Sequence, residues 1–167
     1  MKIIFTGPEC SGKTSLVKEI CDKMNFFEVS EIAREYLNMR NNTYDEYDLF
    51  EIGLLQLWEE KILTTKHQNI CCDTDLLTIL IWQNEKYSKI DAFLLKKWIE
   101  AQPDIYFLCT PDIKWEYDIQ RENPNDRERL FTVYEDFLNR YQKTYVVIKG
   151  SLSERIEQVM KNVQKLL

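Results

Sequence analysis

Histidine occurs once in this chain of 167 residues, as His67, and no Cys-x-x-C pair exists among Cys10, Cys21, Cys71, Cys72 and Cys109. His67 therefore has no partner for a zinc site, and the cysteines read as reduced, small hydrophobic side chains rather than disulfides or metal ligands. Positive charge is also short: 22 Lys and Arg stand against 28 Asp and Glu, a formal net charge of -6. That balance argues against a nonspecific grip on nucleic acid or on an anionic membrane. No apolar run approaches the ~20 residues of a membrane span. Met1 leads directly into a strand-like segment, so no leader is expected and a cytoplasmic location is. No linker, repeat or low-complexity tract interrupts the sequence, and its length fits a single domain over 1–167. What is present, 44% hydrophobic and 30% charged residues, suits a soluble globular core.

Glycine is scarce as well, yet two of only four glycines fall close to the chain's start, in "GPECSGKTS". The spacing Gly7-x-x-x-x-Gly12-Lys13-Thr14 is a phosphate-binding pattern. Glycines there let the backbone curl with its N–H groups inward, an anion nest at the head of a helix. Its context agrees: "MKIIFT" before it is β-rich, and "SLVKEICDKM" after it repeats apolar residues at helical spacing. A nucleoside triphosphate site is therefore expected over Gly7, Glu9, Cys10, Ser11, Gly12, Lys13, Thr14 and Ser15. Lys13 would reach the terminal phosphates and Thr14 would help hold Mg²⁺. Cys10 is a thiol within the loop, open to oxidation or alkylation.

Further strand-like runs occur at 26–29, 69–73, 104–109 and 144–149, with helical patterns between them. The long pattern runs from about Tyr44 to Lys66, and the last from Ser153 to Leu167. Strand and helix alternating in this way predict an α/β fold, a parallel sheet covered on both faces. Ligands gather at the carboxyl ends of such strands. Asp73 ends one of them, within "DTD", and is favoured for a metal or base role, with Asp75 facing substrate. The alternative for Asp75 is a cap on the helix that follows. In "SEIAREYL", Glu31, Arg34 and Glu35 have i, i+3, i+4 spacing, which places them on one helical face toward an acceptor. A solvated Glu31–Arg34 ion pair is the alternative. The stretch "DIQRENPNDRERLF" sets Arg121, Arg127 and Arg129 around a Pro-Asn turn, as in a lid whose arginines neutralise a transferring phosphoryl group. A charged surface loop is the plainer reading.

Together, the phosphate loop, "REYL", "DTD" and "W…D-x-x-R-x-N-P…R" resemble the ribosylnicotinamide kinase domain of NadR-type NAD-salvage proteins, in the AAA_28 group. The resemblance covers nearly the whole chain. It implies a P-loop kinase fold with a five-stranded parallel sheet in the order 2-3-1-4-5 and a lid at about 118–131. It also implies transfer of the ATP γ-phosphate to the 5′-hydroxyl of nicotinamide riboside. Carried over, Lys13, Asp73, Arg121 and Arg127 are catalytic, Thr14 and Asp73 hold Mg²⁺, and Glu31, Arg34, Glu35 and Asp75 face the nucleoside. The sequence departs from the family in Asp118-Ile119-Gln120-Arg121, where relatives often have a glycine after the aspartate, and at Ser30, where an aromatic is expected to stack on the base. The adenylyltransferase domain of the bifunctional relatives is not expected, because the phosphate loop begins at residue 7. Alternatives are a deoxynucleoside or nucleoside monophosphate kinase, or an ATP-driven switch or binding module.

Overall fold

A computed structural model of the protein describes residues 1–166. Five parallel strands form one sheet: β1 (Lys2–Thr6), β2 (Phe27–Val29), β3 (Ile70–Asp73), β4 (Ile105–Cys109) and β5 (Tyr145–Ile148). Their order is β2-β3-β1-β4-β5, as the family resemblance implied. Alternation along β1 shows how two cores arise. Ile3 and Phe5 turn to one face and Ile4 to the other, and all three are fully buried.

On the Ile3 and Phe5 side, α1 (Lys13–Met24) and α7 (Leu152–Val163) bury Leu16, Val17, Ile20, Val159 and Val163. The Ile4 side carries α2 (Ile32–Met39), α3 (Glu46–Lys66), α4 (Leu76–Tyr87), α5 (Ala92–Glu100) and α6 (Arg127–Arg140). α3 starts later than the expected Tyr44 because Asp45 caps it, its carboxylate accepting from the N–H groups of Tyr47 and Asp48. α7 ends at Val163, short of the expected Leu167, which lies outside the described residues. The expected lid is displaced too. From Arg127 onward the chain is helix α6, so the strap without regular structure is 110–126, between β4 and α6. Among the described residues, no helix is long and apolar enough to cross a membrane.

Two glycines shape the loop that follows β1. Gly7 follows β1 with φ +129°, and a Cβ there would lie 2.6 Å from the carbonyl oxygen of Cys109 on β4. Gly12, at φ +79°, is the N-cap of α1. A side chain at Gly7 would push the loop off the neighbouring strand, and one at Gly12 would strain the turn into the helix.

Candidate active site

The loop from Gly7 to Gly12 lies across the carboxyl ends of β1 and β4 and opens into a cavity of about 250 Å³. Gly7 and Glu9 to Ser15, the segment expected to bind nucleotide, all line this cavity. No side chain caps the head of α1, so its first N–H groups are left for an anion. Lys13 folds over the loop, its Nζ donating to the carbonyls of Gly7 and Pro8 at 2.9 Å each.

Asp73 ends β3 with only 3% of its surface exposed, and its Oδ1 is buried without a hydrogen-bond partner. Asp73 is not among the residues that line the cavity, as Thr14 is, but an orphaned carboxylate oxygen at a strand tip suits a cation site. Glu31 stands nearer the open space. It lines the cavity, and its carboxyl is raised above the usual range by burial and by the negative charge of Asp73. Arg34 pairs with Glu31 at 3.3 Å and lines the cavity as well.

Two acceptor-side expectations are corrected. Glu35 is exposed and lies outside the cavity lining. The i, i+4 argument fails because Glu31 is the N-cap of α2, with extended backbone (φ -70°, ψ 109°), and does not share the helix's periodicity. The helix buries Ala33, Tyr36 and Leu37, which turns Glu35 outward. Asp75 is also absent from the lining, because both its oxygens face inward to structural partners. Oδ1 caps α4 through the Leu77 N–H at 3.1 Å, while Oδ2 accepts from the Trp98 indole at 3.1 Å and the Tyr106 hydroxyl at 2.7 Å. The helix-cap alternative was the correct one.

Burial, reinforced by the charge of Glu60, pushes the Asp75 carboxyl up to about 6. The folded state therefore holds a proton that the unfolded chain releases near pH 4, and this contribution to stability fades as pH rises through about 6. Asp75→Asn removes that pH dependence, but its amide must turn an N–H against either the Leu77 N–H or the Trp98 indole N–H. We expect the variant to lose about 1–3 kcal/mol and several degrees of Tm, with acceptor KM changed less than about twofold. Its deficit against the parent should shrink between pH 5 and pH 7 in thermal melts. A large rise in acceptor KM at unchanged Tm would return Asp75 to the substrate side.

The strap 110–126 crosses the cavity and is held at both banks. At the phosphate loop, the Glu9 carboxylate accepts from the backbone N–H groups of Glu122 (3.1 Å) and Asn123. On the opposite bank, Asp118 pairs with Arg34 at 3.0 Å, and the Gln120 amide donates to Asn38 and Asn42 at 2.9 Å each. Gln120 thus fastens the strap to α2. Glu122 also accepts from the Tyr44 hydroxyl at 2.7 Å and pairs with Lys86 at 3.0 Å.

Arg121 lines the cavity; its Nε is buried without a hydrogen-bond partner, 3.9 Å from the Asp118 carboxylate, and its Nη1 donates to the Glu116 carbonyl. Arg127 does not line it. Its guanidinium donates to the carbonyls of Cys10 (3.0 Å) and Ile113 (3.1 Å), holding the loop from outside rather than facing a phosphoryl group. Arg129 pairs with Glu85 of α4 and Asp126.

Sequence reasoning missed the residues that shape the other end of the cavity: Thr78, Trp82 and Glu85 on α4, and Tyr134 on α6. The signal was present in "LLTILIWQNE", where Thr78, Trp82 and Glu85 are spaced to share one helical face. Trp82 supplies an aromatic to the cavity wall, where Ser30 had left none.

The model for AAA_28, described as an AAA domain, matches residues 2–155. The chain belongs to the AAA_28 family. No curated protein matches it. Among solved structures, this AAA_28 chain is similar to deoxyadenosine kinase from M. mycoides with products dCMP and dCDP bound. That match has a TM-score of 0.70 and 19% identity, covering 100% of each chain. NadR protein in complex with NR gives TM-score 0.76 and 18% identity over 98% of this chain, which spans 50% of that one. Thymidylate kinase from Ehrlichia chaffeensis gives TM-score 0.68 and 18% identity, covering 98% of each chain. At these identities the AAA_28 chain shares a fold with all three.

Proposed function

We propose that this protein is an ATP- and Mg²⁺-dependent small-molecule kinase that phosphorylates the 5′-hydroxyl of nicotinamide riboside. The observation that carries the reading is the single cavity wall shared by the phosphate loop and by Glu31, Arg34, Trp82 and Tyr134. A triphosphate on the loop would have its end turned toward a nucleoside-sized space. The acceptor oxygen bonds to the γ-phosphorus, the bond to the ADP oxygen breaks, and the hydroxyl proton passes to a carboxylate. Of the glutamates that line the cavity, Glu31 is the one beside Arg34 with a raised pKa, which suits a base. Lys13 and Arg121 take up charge on the transferring group. Thr14 and Asp73 would hold Mg²⁺, which neutralises charge between the phosphates when bound. Glu31 and Glu85, with the face of Trp82, favour a cationic ring over a neutral base.

A second reading, a deoxynucleoside kinase, is favoured by the likeness to the M. mycoides enzyme, which extends over both chains in full. An acceptor screen with ATP separates the two. Nicotinamide riboside should exceed cytidine and uridine in kcat/KM by at least ~10-fold, about 1.4 kcal/mol. Its ribose hydroxyls should also be required, because a site that pairs polar groups with a hydroxyl rejects the analogue lacking it. A preference for deoxyadenosine, thymidine or a monophosphate would sink the nicotinamide riboside reading and leave the kinase. ATP turnover that ignores every acceptor would point instead to a switch or binding module.

A further inference from the structure

One charged side chain outside the cavity is more deeply buried than any within it. Arg155, on the first turn of α7, is 2% exposed. Its guanidinium reaches three strand-end loops at once. Nε donates to the Gly150 carbonyl after β5 at 2.8 Å, and Nη1 to the Ser11 carbonyl of the phosphate loop at 2.7 Å. Nη2 donates to the Thr110 carbonyl after β4 at 3.1 Å and pairs with Asp112. Burying a guanidinium is costly unless every face is satisfied, and this one has a fixed set of acceptors in fork geometry.

The bond to Ser11 has a directional consequence. The peptide joining Ser11 to Gly12 is trans, so its C=O and N–H point opposite ways. Drawing the Ser11 oxygen outward to Arg155 turns the Gly12 N–H inward. Arg127 draws the Cys10 oxygen outward at 3.0 Å, which does the same for the Ser11 N–H. Cys10 and Gly12 both sit at positive φ, the alternation that lets consecutive N–H groups converge on an anion.

We propose that Arg155 is a positioning residue for phosphate binding: from behind the loop it holds the Ser11–Gly12 peptide with its N–H toward the phosphates. It touches no substrate. The inference rests on the nucleotide-site part of the functional reading and not on the acceptor.

The test is calorimetric titration of inorganic tripolyphosphate into folded protein, with circular dichroism melts alongside. Arg155→Lys keeps a charge near Asp112 but cannot reach three loops, and should weaken tripolyphosphate about tenfold or more. Asp112→Asn removes the ion pair and leaves the three carbonyl bonds. It should lower Tm yet keep tripolyphosphate affinity within about threefold. Folded Arg155→Lys that binds like the parent would overturn the proposal. So would Asp112→Asn losing as much affinity, since the charge pair rather than the carbonyl grip would then matter. If Arg155→Lys does not fold, the parent protein still decides. The Arg155 Nε–H signal should stay protected from exchange with and without tripolyphosphate, and its loss on binding would contradict a fixed brace. A parent protein that binds no tripolyphosphate would refute the nucleotide site itself.

Discussion

Lys13→Ala should lose phosphoryl transfer by at least ~10³-fold in kcat at saturating ATP while its thermal melt stays close to the parent's. The lysine's stabilisation is realised most strongly where negative charge spreads over the γ-phosphate, so weaker ATP binding alone cannot account for the loss. The fold should survive because the side chain is partly exposed, and water can replace it at the Gly7 and Pro8 carbonyls. Single-turnover measurements at increasing ATP separate the two effects. Near-parental kcat at saturation would remove the phosphate-loop assignment.

The second large effect concerns the two carboxylates. Asp73→Asn keeps the shape of the strand tip and removes the charge from the carboxylate whose Oδ1 is orphaned. It should reduce kcat by ~10²-fold or more, and added Mg²⁺ should recover part of the loss if the residue serves the metal. Glu31→Gln should cost a similar factor that no Mg²⁺ concentration restores. In the parent, the acid limb of the kcat/KM profile should lie above the ordinary glutamate range, because burial and the Asp73 charge raise Glu31. That limb should vanish in Glu31→Gln. Should Mg²⁺ rescue Glu31→Gln and leave Asp73→Asn unrepaired, the two roles must be exchanged.

What the sequence made legible was whatever its own neighbours decide. The anion nest is written within six consecutive positions, Gly7 to Gly12, so spacing was enough to place it. The strands were visible for the same reason, as short apolar runs ending in polar residues, although their order came with the resemblance. Asp75 was settled at long range instead: Trp98 lies 23 positions later and Tyr106 lies 31 later, and their N–H and O–H turned the carboxylate inward. Glu35 failed on a boundary, since one residue of difference in where α2 begins rotates the whole face. Arg155 was least legible of all. It lies 144 positions from Ser11, in the charged stretch "SERIEQ", which composition alone reads as surface.

The strap between β4 and α6 bears on a problem of any enzyme that handles ATP, which is wasteful loss of the γ-phosphate to water. One piece of chain is fastened to the phosphate loop through Glu9 and to α2, which the proposed function sets on the acceptor side, through Arg34. On the proposed reading, cover over ATP and cover over the acceptor would therefore not be independent. A cover hinged at the nucleotide alone would shut over ATP with water as the nearest nucleophile. A cover whose far fastening stands on the acceptor helix joins its seal to the place where the acceptor hydroxyl arrives, so dryness and the correct nucleophile come together.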